Sequence, residues 1–271
     1  MRVWETADSI DLPAQRVAVC GDWHGNTGWI RRVARAISRI APGMDTILQA
    51  GDWWTHPERS DDSFLTAGIT RVYVTLGNHE PWNQLTPLLD AHPGHAVRVS
   101  AVTWILPRPY RLTIGGRRIL SLGGATSVDR RWRTEGRDWW PDEEITDAHV
   151  AAAIAGGPAD IMITHESPAH TPVRAVGDSL RINPLGLDRD TLAASAASRR
   201  RITDVFDAVR PELLLHGHMH APGGGITADG RRVISLGCDG QYGHASIVDL
   251  HRLHIHTLTL HDIRTAGAPP A

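Results

Sequence analysis

The sequence predicts a single α/β domain with two packed sheets, in which polar residues follow the carboxyl ends of buried strands. Three apolar, β-branched runs lie in the first 80 residues, and glycine plus a polar side chain follows each of them; the runs are 15–20, 45–50 and 72–76. An apolar pattern with helical spacing over 28–40 separates the first two runs. Because α/β folds place their binding sites at strand ends of this kind, we expect one site to which several strands contribute.

The remaining elements are predicted from the same periodicities. Thr27 can cap the helix over 28–40. The segments 97–106 and 110–122 are predicted as consecutive strands, the second turning at Gly115 and Gly116. Further helices are predicted over 145–155 and 188–209, and further strands over 161–164, 213–215, 232–236, 245–250 and 253–260. We expect a mostly antiparallel second half, one domain over 1–271, and a flexible tail over 264–271.

Composition limits the classes of protein. The chain is 41% hydrophobic, with a formal net charge of −2, which argues against bulk attraction to nucleic acid or anionic membranes. No apolar run approaches the roughly 20 residues that span a bilayer, and residues 1–13 lack the pattern of a signal peptide. We therefore expect a cytoplasmic protein. Neither Cys20 nor Cys238 belongs to a CxxC motif, and both are predicted as small buried hydrophobic residues.

Five short blocks of metal-ligand and phosphate-handling residue types occur in order along the chain. They are Gly21-Asp22-Trp23-His24-Gly25-Asn26, Gly51-Asp52, Gly77-Asn78-His79-Glu80, Thr164-His165 and Gly217-His218-Met219-His220. Alternate residues of an extended strand share a face, so Asp22 and His24 can bind one ion together. Asp52 has two oxygens and can bridge two ions. Two ions about 3.5–4 Å apart can lower the pKa of a bridging water toward 7, which predicts hydrolysis of a phosphate ester by a metal-bridging hydroxide.

The order of these blocks resembles that of the calcineurin-like metallophosphoesterase superfamily over positions 21–220. The resemblance implies a four-layer α-β-β-α sandwich with a dinuclear metal site at the strand carboxyl ends. It assigns one ion to Asp22, His24, Asp52 and His220, and the other to Asp52, Asn78, His165 and His218. It also makes His79 the histidine that contacts the phosphate and protonates the leaving alkoxide. Manganese, iron, zinc and nickel all occur in the family, so the metal stays open.

The second block departs from the protein phosphatase branch of that superfamily, which has Gly-Asp-x-x-Asp-Arg there. In this chain Thr55 and His56 stand at the places of the aspartate and the arginine. The last block resembles that of the phosphodiesterase and general bacterial branches. We therefore expect a phosphodiester or small phosphomonoester substrate, with a small nucleotide favoured. A phosphoprotein phosphatase and a non-catalytic metal-binding scaffold are the alternatives, and a nucleic-acid substrate is not expected.

The segment 127–144 is predicted to contribute to substrate choice, and it resembles a segment of small phage and bacterial members of the superfamily. Its charged and aromatic residues are Asp129, Arg130, Arg131, Arg133, Arg137, Trp139 and Trp140. The tryptophans could stack on a base and the arginines could reach a phosphate, with Arg131 as the first candidate beside Asn78 and His79. The alternative is a surface loop held by buried tryptophan. Trp53 and Trp54 could line the pocket or pack, with packing favoured. Asn26 either touches substrate or caps the following helix.

Overall fold

The computed structural model describes residues 1–54 and 56–266. In these ranges the chain forms fifteen strands and seven α-helices. The strands are β1 (Glu5–Ala7), β2 (Asp11–Leu12), β3 (Arg16–Cys20), β4 (Thr46–Gln49), β5 (Arg71–Val74), β6 (Ala96–Arg98), β7 (Thr103–Ile105), β8 (Tyr110–Ile114), β9 (Arg117–Leu122), β10 (Ile161–Thr164), β11 (Leu213–His216), β12 (Gly223–Ile226), β13 (Arg232–Ser235), β14 (Ala245–Asp249) and β15 (His254–Thr257). The helices are α1 (Thr27–Ile40), α2 (Glu58–Thr66), α3 (Trp82–Ala91), α4 (Asp147–Ala155), α5 (Arg174–Ile182), α6 (Arg189–Val209) and α7 (Leu260–Thr265).

The strands form two sheets. One has the order β1-β6-β7-β5-β4-β3-β14-β15 and the other the order β12-β13-β11-β10-β9-β8-β2. The prediction of a mostly antiparallel second half is wrong at the centre of the second sheet, where β9, β10, β11 and β13 pair in parallel. Parallel pairing requires crossover connections: α4 joins β9 to β10, α5 and α6 join β10 to β11, and β12 lies between β11 and β13 in the chain.

Alternate residues of each strand face opposite sides of its sheet, and the two sheets with the helices on their outer sides form four layers. Val17 and Val19 of β3 face the core between the two sheets, whereas Ala18 and Cys20 face the layer that contains α1, α2, α3 and α7. In the second sheet, Met162 faces the opposite way, toward α4, α5 and α6. The predicted α-β-β-α sandwich is therefore confirmed. Within the described residues, no helix combines the length and apolar character that crossing a membrane requires.

Local polar contacts explain where the elements differ from the predictions. The predicted strand 97–106 is two strands, because Asp61 accepts hydrogen bonds from Ser100 Oγ (2.7 Å) and Ala101 N (3.0 Å) and turns the chain there. Asn26, not Thr27, caps α1, since its Oδ1 accepts from Trp29 N at 3.0 Å. No range was predicted from the sequence for α2, α3, α5, α7, β1, β2 or β12. Residues 264 and 265 belong to α7, and 267–271 lie outside the described residues.

The sandwich brings the carboxyl ends of five strands to one edge. Asp22 follows β3, Asp52 follows β4, and Asn78 follows β5, all in the first sheet. His165 follows β10 and His218 follows β11, in the second sheet. The blocks that were separate in sequence therefore meet where the two sheets face each other.

Candidate dinuclear metal site

The backbone at this edge is strained. Four predicted ligands have a left-handed conformation, with φ of 44° at His24, 56° at Asp52, 63° at His218 and 46° at His220. Each such residue costs about 1–3 kcal/mol, and residues of this kind concentrate at functional sites. Hydrogen bonds oppose the strain: His24 N donates to Asp52 O at 2.9 Å, and His218 N donates to Asp22 Oδ2 at 3.1 Å.

Asp52 lies at the centre of the cluster, and we call its side chain the central carboxylate. It is 1% exposed. Its Oδ1 lies 3.2 Å from His165 Nε2, and its Oδ2 lies 3.7 Å from His24 Nε2. Oδ1 also accepts from His79 N at 2.9 Å. The two oxygens therefore face two different groups of potential ligands.

The first group contains Asp22, His24 and His220. His220 Nε2 lies 2.9 Å from Asp22 Oδ2. His24 Nδ1 is 2.9 Å from Asp239 Oδ1, and Asp239 Oδ2 accepts from Asn26 Nδ2 at 2.7 Å. A carboxylate on one ring nitrogen holds the proton there and leaves the other nitrogen free as a ligand. Asn26 thus caps α1 and also supports Asp239, which sequence reasoning missed.

The second group contains His165, Asn78 and His218. His165 Nδ1 donates to Ala50 O at 2.7 Å, so its Nε2 points into the cluster. There it meets Asn78 Oδ1 at 2.9 Å as well as the central carboxylate. Asn78 Nδ2 donates to Ser127 Oγ at 2.9 Å, which turns the amide oxygen toward His165. The His218 ring lies 5.0 Å from that of His165, measured between centroids.

The electrostatics of the cluster fit bound cations. Burial raises the pKa values of Asp22 and Asp52, but the surrounding histidines, with His165 foremost, together outweigh it and lower both. Burial lowers the pKa of His165, but the charges of Asp52 and Asp22 raise it to about 10. Burial also lowers the pKa of His220, but its hydrogen bond to Asp22 raises that pKa to about 11. Protons on these imidazoles balance the buried carboxylates, and metal ions could replace them among the same donor atoms.

Two sets of donor atoms each lie within 4.8 Å of one another; they are Asp22, Asp52 and His165, and His24, His220 and Cys238. The second set brings Cys238 to the cluster, although the sequence predicted a buried hydrophobic residue. Its side chain is only half-buried. Cys238 follows the last block by eighteen positions in a segment with no ligand pattern, so local sequence offers no signal for it.

His79 lies at the rim of the cluster. Its Nε2 is 4.0 Å from Asp52 Oδ2 and 3.8 Å from Asp129 Oδ2, and Arg133 Nη2 contacts the same nitrogen. The Trp54 ring, whose residue is 52% exposed, lies 4.8 Å from the His79 ring. The prediction that the two adjacent tryptophans pack is therefore confirmed for Trp53, which is buried, and wrong for Trp54.

Glu80 joins the second and third blocks. Its carboxylate accepts from Trp53 N, Trp54 N and Gly77 N, each at 3.1 Å. Burial and the charge of Asp52 raise its pKa. Thr55 lies outside the described residues. His56 is exposed, with its Nδ1 3.7 Å from Glu58 Oε1.

A pocket of about 430 Å³ lies above the central carboxylate. Its lining combines cluster residues and Asp129 with apolar residues, which are Val128, Leu180, Pro184, Leu185, Leu187, Leu192 and Met219. Arg131 lines a different pocket, with its guanidinium 4.1 Å from the centroid of the Trp132 ring. Trp139 is buried beneath Arg130, so the segment 127–144 is anchored by a tryptophan and also reaches His79 through Arg133.

Comparisons with known proteins agree with this architecture. The family profile described as Calcineurin-like phosphoesterase matches residues 15–222. Among solved structures, the protein TT1561 of Thermus thermophilus is 13% identical, with a TM-score of 0.52, over 90% of this chain and 98% of that one. A dimetal phosphatase from Danio rerio is 12% identical, with a TM-score of 0.53, over 91% and 99%. A search of curated sequences gives no significant match. Because the family profile covers most of the chain, the protein belongs to the calcineurin-like phosphoesterase family and is a metallophosphoesterase.

Proposed function

We propose that the protein hydrolyses a phosphodiester or a small phosphomonoester at a two-ion site centred on Asp52. The observation that carries this proposal is the placement of the central carboxylate. One of its oxygens faces His165 and the other faces His24, at 3.2 and 3.7 Å. A buried carboxylate with nitrogen ligands on both sides is suited to bridge two ions.

In this proposal, each group of potential ligands holds one ion. Asp22, His24, Asp52 and His220 would hold the first, and Asp52, Asn78, His165 and His218 would hold the second. Ions bound there would supply Lewis acidity and lower the pKa of water toward neutrality. Asp239 and the Ala50 carbonyl orient the rings of His24 and His165 by holding the proton on the Nδ1 atom of each.

His79 is assigned to the leaving group. Its Nε2 faces the central carboxylate at 4.0 Å without belonging to either ligand group. When Nε2 is protonated and a phosphoryl oxygen has replaced its contact with Arg133, His79 can give a proton to the departing oxygen. Asn78 is placed to contact the substrate as well as the second ion, because it lines the same pocket.

A small substrate is favoured by the size of the pocket, about 430 Å³. Nucleotides stay within this class, as the sequence predicts. A phosphoprotein phosphatase is less well supported, because His56 is exposed beside Glu58 rather than turned toward the metal cluster. Three statements stay predictions from the sequence: manganese as the metal, a role of Arg131 in substrate binding, and a cytoplasmic location.

The test compares bis(p-nitrophenyl) phosphate with p-nitrophenyl phosphate on metal-stripped protein refilled with manganese, iron, zinc or nickel in turn. Asp52→Asn serves as the control that removes the bridge. Faster diester turnover that Asp52→Asn loses supports a phosphodiesterase, and faster monoester turnover supports a phosphatase. Two bound ions with no turnover of any phosphoester would contradict the proposal and favour the non-catalytic scaffold.

A further inference from the structure

An aspartate–arginine pair from the segment 127–144 lies against His79. Arg133 Nε donates to Asp129 Oδ2 at 2.8 Å, and Arg133 Nη1 donates to Asp138 O at 3.0 Å. The remaining terminal nitrogen, Nη2, contacts His79 Nε2. Asp129 Oδ2 also lies 3.8 Å from that nitrogen. The guanidinium is therefore held by its own segment and presented to the imidazole.

This guanidinium is buried but not fully bonded. The Arg133 side chain is 8% exposed, so it has lost most of its water. A guanidinium has five N–H donors and no acceptor. The three contacts above use one hydrogen on each nitrogen, and the second hydrogens of Nη1 and Nη2 have no partner among residues 1–54 and 56–266. Buried donors without acceptors are costly, so a site of this kind favours an added acceptor.

Arg133 lines the pocket beside the one above Asp52, and of its two incompletely bonded nitrogens Nη2 is the one that lies against His79. Arg133 reaches the same edge of His79 that faces the central carboxylate at 4.0 Å. Asp129, which holds Arg133, lines the pocket above that carboxylate together with His79. An oxyanion placed over Asp52 would thus meet the imidazole edge where Nη2 now lies. The planar fork of arginine matches the oxygens of a phosphoryl group.

We propose that Arg133 is the phosphoryl-binding guanidinium of this site and that Asp129 is its positioning residue. The ligand class is a tetrahedral oxyanion, which includes the phosphoryl group of the ester and the inorganic phosphate that hydrolysis releases. The inference rests on the proposed function for turnover. Binding of inorganic phosphate tests it without turnover.

The experiment measures binding of inorganic phosphate to the manganese-loaded protein by titration calorimetry. The variants are Arg133→Ala, Arg133→Lys and Asp129→Asn, and the matched control is Arg200→Ala, which removes an exposed arginine of α6. Metal content and the thermal unfolding midpoint are recorded for each. We expect Arg133→Ala to weaken phosphate binding roughly 10- to 100-fold, as loss of a charged hydrogen bond does. Arg133→Lys should recover part of the affinity, because the charge stays and the fork is lost.

Two further readouts separate binding from a structural role. Asp129→Asn should weaken phosphate binding less than Arg133→Ala, with two ions still bound. Guanidinium at non-denaturing concentration should restore phosphate binding to Arg133→Ala, whereas sodium chloride should not. If Arg133→Ala fails to fold, Arg133→Lys carries the test.

The inference is overturned if Arg133→Ala binds phosphate within twofold of the Arg200→Ala control, or if the wild-type protein binds no phosphate. Phosphate binding that depends on Arg133 in a protein without phosphoester turnover would support this inference and contradict the proposed function. Turnover that does not depend on Arg133 would support the proposed function and contradict this inference.

Discussion

The metal cluster and the segment 127–144 meet at His79 but are built differently. The cluster residues follow parallel strands of two sheets, and four of them have a strained backbone. The segment has two short 3₁₀ turns, Arg130–Trp132 and Pro141–Glu143, and between them residues 134–138 are exposed. A strained, buried cluster is suited to hold ions in one geometry. A loop with few anchors is suited to contact whatever those ions act upon.

The anchors of the segment show how the two regions are joined. Ser127 N donates to Glu143 Oε1 at 2.7 Å, and Ser127 Oγ accepts from Asn78 at 2.9 Å. Thr126 Oγ1 donates to Glu144 Oε2 at 2.8 Å. Both ends of the segment are therefore fixed to each other and to a predicted metal ligand. If the cluster binds metal and the segment contacts substrate, variants in one region should leave the function of the other intact.

The largest effect is expected for Asp52→Asn. Removing the central carboxylate leaves His165 and His24 without the charge between them, so metal affinity should fall roughly 100- to 1,000-fold. Metal titration of the stripped protein measures this. Retention of two ions at wild-type affinity would show that Asp52 does not bridge them.

Asp239→Asn should lower the affinity for the first ion roughly 10- to 100-fold, because a ligating histidine loses its carboxylate partner. Asp239 Oδ1 lies 2.9 Å from His24 Nδ1, whereas the control Asp190→Asn changes an exposed residue of α6. The same titration measures both variants. Equal affinity in the two would mean that His24 is oriented without Asp239.

The metal-free protein should be most stable near pH 6.5. The pKa of His165 is raised to about 10, so its stabilising contribution is complete below pH 6.5 and is lost as the pH rises through 10. Burial lowers the pKa of His216 to about 4 and that of His218 to about 3, so stability also falls as the pH drops below 6.5.

Thermal unfolding midpoints between pH 4 and 10, with and without manganese, measure this dependence. Bound ions should remove the decline above pH 6.5, because they replace the protons on the cluster histidines. A metal-free protein whose midpoint rises steadily from pH 6.5 to 10 would contradict the charge balance inferred for the cluster.

The smallest effect is expected for Arg131→Ala. Its guanidinium lies on the exposed Trp132 ring, whereas that of Arg133 contacts His79 Nε2. We expect less than about a threefold change in kcat/KM on either nitrophenyl ester, against the larger loss of phosphate binding in Arg133→Ala. A larger loss in Arg131→Ala than in Arg133→Ala would restore the assignment made from sequence.

The sequence predicted the strands that carry the site residues. It did not predict which side chains hydrogen-bond to those residues. Strands β4, β5, β10 and β11 were placed within two residues of their ends, because short apolar runs before glycine or histidine mark them locally. Helix α5 was missed. It is amphipathic, but its only fully buried residue is Val176, so its apolar face is small.

By itself, the sequence determined the fold class, the family and the residue types available for metal ions, because strand ends and their polar side chains are encoded within a few positions. Tertiary structure alone decided which groups support them. Asp239 meets His24 across 215 positions, and Arg133 meets His79 across 54. Contacts at such separations depend on how the two sheets and their loops pack. No local periodicity records that packing, so Arg133 and its neighbour Arg131 could be told apart only in the folded chain.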